Sequence, residues 1–327
     1  MVKILLIGLG ITTFTALESL IAQCDVVGIV RNISQKSEAN DPAINLAQRE
    51  NIAIFPDCSQ KAIKSLIIEL EPDFVVVSSY NQILPESIIE LSTFINVHYS
   101  PLPQYRGRAN VNWAIINNEP FAAISIHLIS PGLDEGNILY QQSIAIEPND
   151  TVGTLYEKLN QIQKQQLGAT IIKASKGDMG ISQNAEKATY GCTRLPEDGE
   201  IDWSDQTKKI SSLIRALVAP FPGAFTYLKE QKIIIWQAKI VENTLQYQGR
   251  IPGRVINRSP TKGYVDVLTG DGILRLIELQ IVGQEKTQAA NVIKSVKSTL
   301  GLQMSDLLNR IQILEKQIVK LQTKNEK

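Results

Sequence analysis

The most constraining feature is an alternation in the first half of the chain between short, wholly apolar runs and amphipathic stretches. Lys3–Ile7 (KILLI), Asp25–Val30 and Phe74–Ser78 (FVVVS) have no polar side. Between them, residues 14–22, 44–50 and 61–70 carry apolar residues at helical spacing, and Ser59 stands where an N-cap belongs. A strand apolar on both sides must be covered on both faces, and helices that cross between parallel strands provide that cover. Residues 94–97 and 123–129 continue the series as strands, and 151–174 reads as a long amphipathic helix. The expected fold is α/β, with a Rossmann-like parallel sheet.

After Gly177 the pattern changes. Residues 178–206 are polar, rich in turn formers and without periodicity, which suggests a linker. Beyond a short helix from Ile210, residues 233–238, 253–256, Tyr264–Leu268 and 273–280 follow at hairpin spacing and predict a smaller β-rich domain, an open barrel. The chain thus divides into 1–177, a linker at 178–206, a β-rich domain at 207–286 and a helical tail at 287–327. In the tail, Leu300, Met304, Leu307, Ile311, Leu314, Ile318 and Leu321 recur at alternating four- and three-residue steps, a heptad seam. Two readings fit: a helix docked on its own domain, or a short coiled coil joining two subunits as a homodimer.

Several classes are excluded or disfavoured. No window approaches the roughly 18 apolar residues needed to span a bilayer, and the N-terminal apolar run reads as a buried strand, so a cytoplasmic location without a membrane partner is expected. Lys plus Arg and Asp plus Glu balance at 33 each. A protein gripping many phosphates usually carries a basic excess, so no nucleic-acid partner is expected. Cys24, Cys58 and Cys192 lie far apart and suit reduced thiols; no metal-ligand spacing is found. Gly8 and Gly10 after the first strand invite a dinucleotide-binding assignment. That fingerprint needs a glycine where Thr13 stands and an acidic residue where Val30-Arg31-Asn32 stands, so the two glycines read as turn chemistry.

The chain has two histidines. His98 ends a short apolar run, where reactive groups of α/β sheets gather. Asn96, two residues earlier on extended chain, shares its side. An amide NH2 can meet a developing oxyanion, and an imidazole can move a proton near neutral pH. Downstream, Asp134 lies in the glycine-flanked loop Gly132-Leu133-Asp134-Glu135-Gly136, placed to orient His98 or a water. His127, within ISIHLI, has no polar neighbour in sequence and reads as structural.

The segment INVHYSPLPQYRGR, Trp113-Ala114-Ile115 after it, and GLDEGNIL further on resemble the signature of the folate-dependent formyltransferases. RLPEDGEIDW, Ile214-Arg215-Ala216 and PFPGAFTY extend the likeness to about residue 285; the heptad tail lies outside it. The resemblance is nearest to the sugar-nucleotide N-formyltransferases, such as the formyltransferase domain acting on UDP-4-amino-4-deoxyarabinose and the enzymes acting on dTDP-amino sugars. The methionyl-tRNA formyltransferases share the same plan. The resemblance implies catalytic roles for Asn96, His98 and Asp134 and direct transfer from 10-formyltetrahydrofolate as co-substrate, without a metal. It puts that co-substrate beside Tyr80, Gln82, Ile83, Leu84 and Leu133. Two departures stand near the site: Asn110, where the family commonly has proline, and Tyr99 after the histidine.

For the acceptor, a nucleotide-linked amino sugar is expected, with methionyl-tRNA as the alternative. The family's tRNA-directed members carry a basic insertion after the second strand, and here residues 31–41 offset two cations with two anions.

Overall fold

The computed structural model describes residues 1–32, 41–242 and 245–325. The apolar runs become strands β1 (Lys3–Ile7), β2 (Asp25–Val30), β3 (Ile54–Phe55), β4 (Phe74–Ser78) and β5 (Thr93–His98), interleaved with helices α1 (Thr13–Ile21), α2 (Pro42–Arg49), α3 (Gln60–Leu70) and α4 (Glu86–Ile89). A two-residue strand, β6 (Arg106–Gly107), precedes α5 (Asn110–Ile116), β7 (Phe121–Leu128), β8 (Ile138–Ala145) and the long α6 (Val152–Ala174). Seven of the strands form one sheet in the order β3-β2-β1-β4-β5-β7-β8. This is the expected Rossmann-like arrangement, parallel through β5 and antiparallel at β7 and β8.

Between β5 and β7 the chain forms the two-residue β6 and the seven-residue α5 before it returns. Strand β8 (ILYQQSIA) is half-exposed with no continuous apolar run, as suits a sheet edge.

The sheet is covered on both faces. Ile4, Leu5, Leu6 and Ile7 are fully buried; Leu5 and Ile7 share a core with Ile63, Ile67, Val75, Val77 and Phe94. Each such side chain contributes about 1.5–3 kcal/mol by leaving water, and Leu5→Ala would cost about 2–5 kcal/mol through the cavity left behind. Helix starts follow capping chemistry. Asp41 accepts from Ala43 N and Ile44 N with Pro42 at the first helical position, and Ser59 accepts from Ala62 N.

The chain divides into two units. The first holds Met1–Ala114, Glu119–Pro148 and Thr154–Thr193; the second holds Ile115–Asn118, Asn149–Gly153 and Arg194–Lys327. The stretch read as a linker is therefore shared between them. Its first part carries β9 (Tyr190–Gly191), which pairs with β6 inside the first unit.

The second unit contains α7 (Thr207–Leu217) and strands β10 (Ala224–Leu228), β11 (Gln231–Ile240), β12 (Val255–Ser259), β13 (Tyr264–Leu268), β14 (Ile273–Ile281) and β15 (Lys286–Gln288), then α8 (Ala289–Val292) and α9 (Met304–Asn325). The sheet runs β10-β11-β14-β13-β12, with β15 on β14. Its two edges are joined: Leu300 bridges to Leu228 at the end of β10, and Thr299 bridges to Arg254 just before β12. The unit is the smaller β-rich domain expected from hairpin spacing, with its edges bridged in place of the expected open barrel. Leu300, placed in the heptad seam from sequence, is instead 2% exposed in this barrel, so the seam begins at Met304. Among the described residues no helix is long and apolar enough to cross a membrane.

Candidate active site

Strand β5 supplies two of the side chains. Asn96 and His98 project from one side of the strand into a cleft of about 460 Å³. The cleft lies in the first unit at the carboxyl ends of β4 and β5, a size usual for small-molecule sites. Its lining also includes Asp134 and all five residues expected at the co-substrate: Tyr80, Gln82, Ile83, Leu84 and Leu133. Every site residue read from the sequence therefore meets in one place. Ile83 and Leu133 are 76% and 47% exposed, giving the mouth an apolar rim above a polar floor.

The floor contains a residue that sequence reasoning set apart. In the antiparallel β5–β7 pairing Asn96 lies opposite His127, so both point into the cleft. His127 Nδ1 is 2.8 Å from the Leu128 carbonyl and donates to it, which leaves Nε2 as an acceptor. Asn96 Nδ2 donates to that nitrogen at 3.2 Å and reaches Asp134 Oδ1 at 3.4 Å. His127 thus fixes which way the Asn96 amide faces. Burial, followed by the nearby His98, lowers the His127 pKa to about 4, so the ring is neutral at pH 7. The only sequence signal for this role was that the chain has a second histidine on the strand that pairs with β5.

Asp134 enters from the loop after β7. Its φ is +51°, left-handed backbone that a non-glycine residue adopts only where the surroundings enforce it. A Cβ on Gly136 would lie 1.9 Å from the Leu128 carbonyl oxygen, so the loop can close against β7 only with glycine there. Gln183 holds the loop in place, donating to the Asp134 and Gly136 carbonyls at 2.7 and 2.8 Å. Arg106, 3% exposed, donates to Gln183 Oε1 and pairs with Glu135 at 3.4 Å. Gln183 lies in the stretch taken for a linker, where no motif marked it.

The Asp134 carboxylate accepts one short bond, from Gly107 N at 2.8 Å. It also faces both imidazoles, at 3.7 Å from His98 Nδ1 and 3.6 Å from His127 Nε2. The two rings stand nearly perpendicular, with centroids 6.1 Å apart. His98 Nε2 is 3.0 Å from the Tyr105 carbonyl and 2.8 Å from Asn110 Nδ2. One ring nitrogen cannot donate to the first while accepting from the second. The orientation of Asn110 and the tautomer of His98 are therefore linked. That ties one family departure directly to the site. The other, Tyr99, is held by Asn160 Oδ1 at 2.6 Å and by Gln163, and burial pushes its phenol well above the ordinary range.

The glycine turn is engaged elsewhere. Arg31 Nη1 donates to the Gly8 carbonyl at 2.9 Å, and its guanidinium pairs with Asp41 at 2.7 Å. Residues 33–40 of the loop weighed for charge lie outside the described residues. Among the described residues no cluster of His, Cys, Asp and Glu could hold a metal ion.

A polar floor able to donate to an oxyanion and take a proton, under an apolar rim, suits acyl transfer to an amine. Comparison with known proteins agrees with that chemistry. Residues 22–171 match the family described as "Formyl transferase", and residues 195–297 match "Formyl transferase, C-terminal domain". The methionyl-tRNA formyltransferase of Caldanaerobacter subterraneus subsp. tengcongensis is 37% identical over 254 residues, covering 77% of this chain and 78% of that protein. Among solved structures, an N-formyltransferase from Helicobacter canadensis, in complex with folinic acid and dTDP-3-aminofucose, superposes with a TM-score of 0.64 at 18% identity, covering 84% of this chain and 98% of that one. A variant of HypX from Aquifex aeolicus reaches 0.64 at 16% identity, covering 90% of this chain, which spans about half of HypX (49%). At those identities the structures speak for the fold alone, whereas the sequence match extends through both halves of the chain: it belongs to the formyl transferase family.

Proposed function

We propose that this formyltransferase works by direct transfer, with 10-formyltetrahydrofolate as donor and the amine of methionyl-tRNA as acceptor. When bound, the folate supplies the formyl group and leaves as tetrahydrofolate. The cleft suits it: Ile83, Leu84 and Leu133 offer apolar surface to a flat ring system, and Tyr80 and Gln82 add polar edges. As the amine adds to the formyl carbon, charge builds on the formyl oxygen. Asn96 Nδ2 has one N–H held to His127; the other, only loosely held to Asp134 at 3.4 Å, turns to that oxygen. His98 donates a ring N–H to the same oxygen. Asp134, with a single short bond, receives the proton that the acceptor nitrogen sheds and returns it to folate N10 as the bond between N10 and the formyl carbon breaks. Convergence of Asn96, His98, His127 and Asp134 on one cleft carries this reading.

For the acceptor, the relative at 37% identity across both domains supports methionyl-tRNA above the amino sugar expected from sequence, and the expectation of no nucleic-acid partner gives way with it. A nucleotide-linked amino sugar is the second reading. Two observations favour it: the balance of 33 cations against 33 anions, and Arg31, whose guanidinium is engaged by Asp41 and Gly8. A cytoplasmic location belongs to both readings.

The test offers 10-formyltetrahydrofolate with methionyl-tRNA, or with dTDP- and UDP-linked amino sugars, and reads one added formyl group by mass. Formylation of the tRNA, falling steeply with salt, is expected. Formylation of a sugar nucleotide with the tRNA untouched would replace the first reading by the second.

A further inference from the structure

We infer that α9 pairs with the same helix of a second copy of this chain as a parallel, two-stranded coiled coil. The barrel ends at Leu300 and Gly301, whose N–H groups donate to the Gly253 and Tyr227 carbonyls. Helix α9 then runs for 22 residues, roughly 33 Å. Among the described residues its apolar side chains stay exposed: Leu307 and Leu314 are 39% and 40% exposed, Ile311 and Ile318 51% and 54%. A docked helix would bury one side, so the docked reading fails to account for this seam. An uncovered apolar stripe of this length marks an interaction surface.

The residue types name the occupant. Met304, Ile311 and Ile318 fall at heptad positions a, and Leu307, Leu314 and Leu321 at positions d. β-Branched residues at a with leucine at d favour two parallel strands over three or four. The flanking charges fix the direction. Arg310 falls at g and Glu315 at the following e. In a parallel pair, g of one helix faces e of the other five residues on. Arg310 would then meet Glu315 of the partner subunit, twice over by symmetry. In an antiparallel pair g faces g and e faces e, so Arg310 would meet only Arg310 or Gln317, and Glu315 only Leu308, Glu315 or Gln322, and the ion pair is lost. Among the described residues Arg310 has a solvent-exposed pairing with Glu230 at 3.5 Å, a type that contributes little and is readily exchanged. Leu308, at e and 52% exposed, widens the seam on one side.

Sedimentation equilibrium of the full-length chain tests this. A monomer–dimer equilibrium is expected, and Ile311→Asp with Leu314→Asp should raise the dissociation constant by at least about 100-fold while formyl transfer is retained. Arg310→Glu and Glu315→Arg should each weaken the dimer about 10-fold, and mixing the two variants should restore it as heterodimers. Glu230→Gln should leave the mass unchanged, and circular dichroism confirms that each variant is folded. A monomer at all concentrations, a trimer, or no recovery on mixing would overturn the inference.

Discussion

Two glycine-bearing loops leave strands β1 and β7 of the same sheet, and their chemistry is opposite. In the loop after β1, groups capable of binding something are occupied by the protein itself. Thr12 Oγ1 contacts Ser78 Oγ and Ser79 Oγ at 2.8 Å each, and Arg31 reaches the Gly8 and Gly10 carbonyls. A Cβ on Gly8 would strike the Thr13 side chain at 2.3 Å, so the turn packs without spare room. The loop after β7 has one short bond to its carboxylate and three contacts of 3.4 to 3.7 Å, all to groups lining a cleft. What separates them is the state of their polar groups: satisfied in the first loop, poised in the second. Long contacts of that kind tighten when a substrate arrives.

The largest expected effects fall on the poised loop and its partners. His98→Ala and Asp134→Ala should each lower turnover by about 10²-fold or more, and Asn96→Ala by a similar factor. The counterpart in the other loop, Arg31→Ala, should lower the melting temperature while changing turnover by less than about 3-fold. Steady-state kinetics beside thermal melts separate the two classes, and a rate loss in Arg31→Ala matching that in Asp134→Ala would erase the distinction.

Next in size are the glycines. Gly136→Ala forces the loop off the Leu128 carbonyl and should cost about 10-fold or more in kcat. Gly8→Ala presses on a buried side chain and should cost about 1–3 kcal/mol of stability instead. Gln183→Ala, which releases the Asp134 loop without touching the cleft floor, should lower kcat several-fold with KM little changed.

The smallest effect is one of pH. His127 is neutral in the folded chain down to about 4, against an ordinary value of 6.5. Between these values the unfolded chain binds the extra proton, so stability is level above pH 6.5 and falls as pH drops towards 4. His127→Gln should flatten that fall, seen by comparing melts at pH 7 and pH 5. An unchanged slope would mean that other groups set it.

How much of this could be read in advance depended on whether the information was local. Strands β1, β2 and β4 announce themselves as apolar runs, and Asn96 and His98 share a side because extended chain alternates. The pairing of His127 with Asn96 depends on the register of β7 against β5, which no local pattern specifies. Gln183 lies 49 residues from the Asp134 carbonyl it holds, in a stretch with no periodicity, so nothing nearby in sequence hinted at it. Strand β8 alternates too weakly to stand out, and the seam was read one step too early because Leu300 keeps heptad spacing while its backbone belongs to the barrel. Charge balance weighed against a nucleic-acid partner, but a count of charges is blind to where they lie.

The Gln183 strap also bears on how the site can change over generations. The sheet that carries Asn96, His98 and His127 is buried on both faces, so most substitutions there endanger the whole first unit. The strap is a surface segment that holds the Asp134 and Gly136 carbonyls through the Gln183 amide and meets the end of the same loop at Asn137, which bonds to Met179 and Ser182. Substitution at Gln183 and its exposed neighbours can therefore shift the carboxylate by small increments, whereas Ile181 and residues 190–191 pair with the rest of the first unit. A selection library confined to Gln183 and the exposed residues beside it would sample placements of the Asp134 carboxylate with few misfolded members, which makes it the natural starting point for retuning this enzyme.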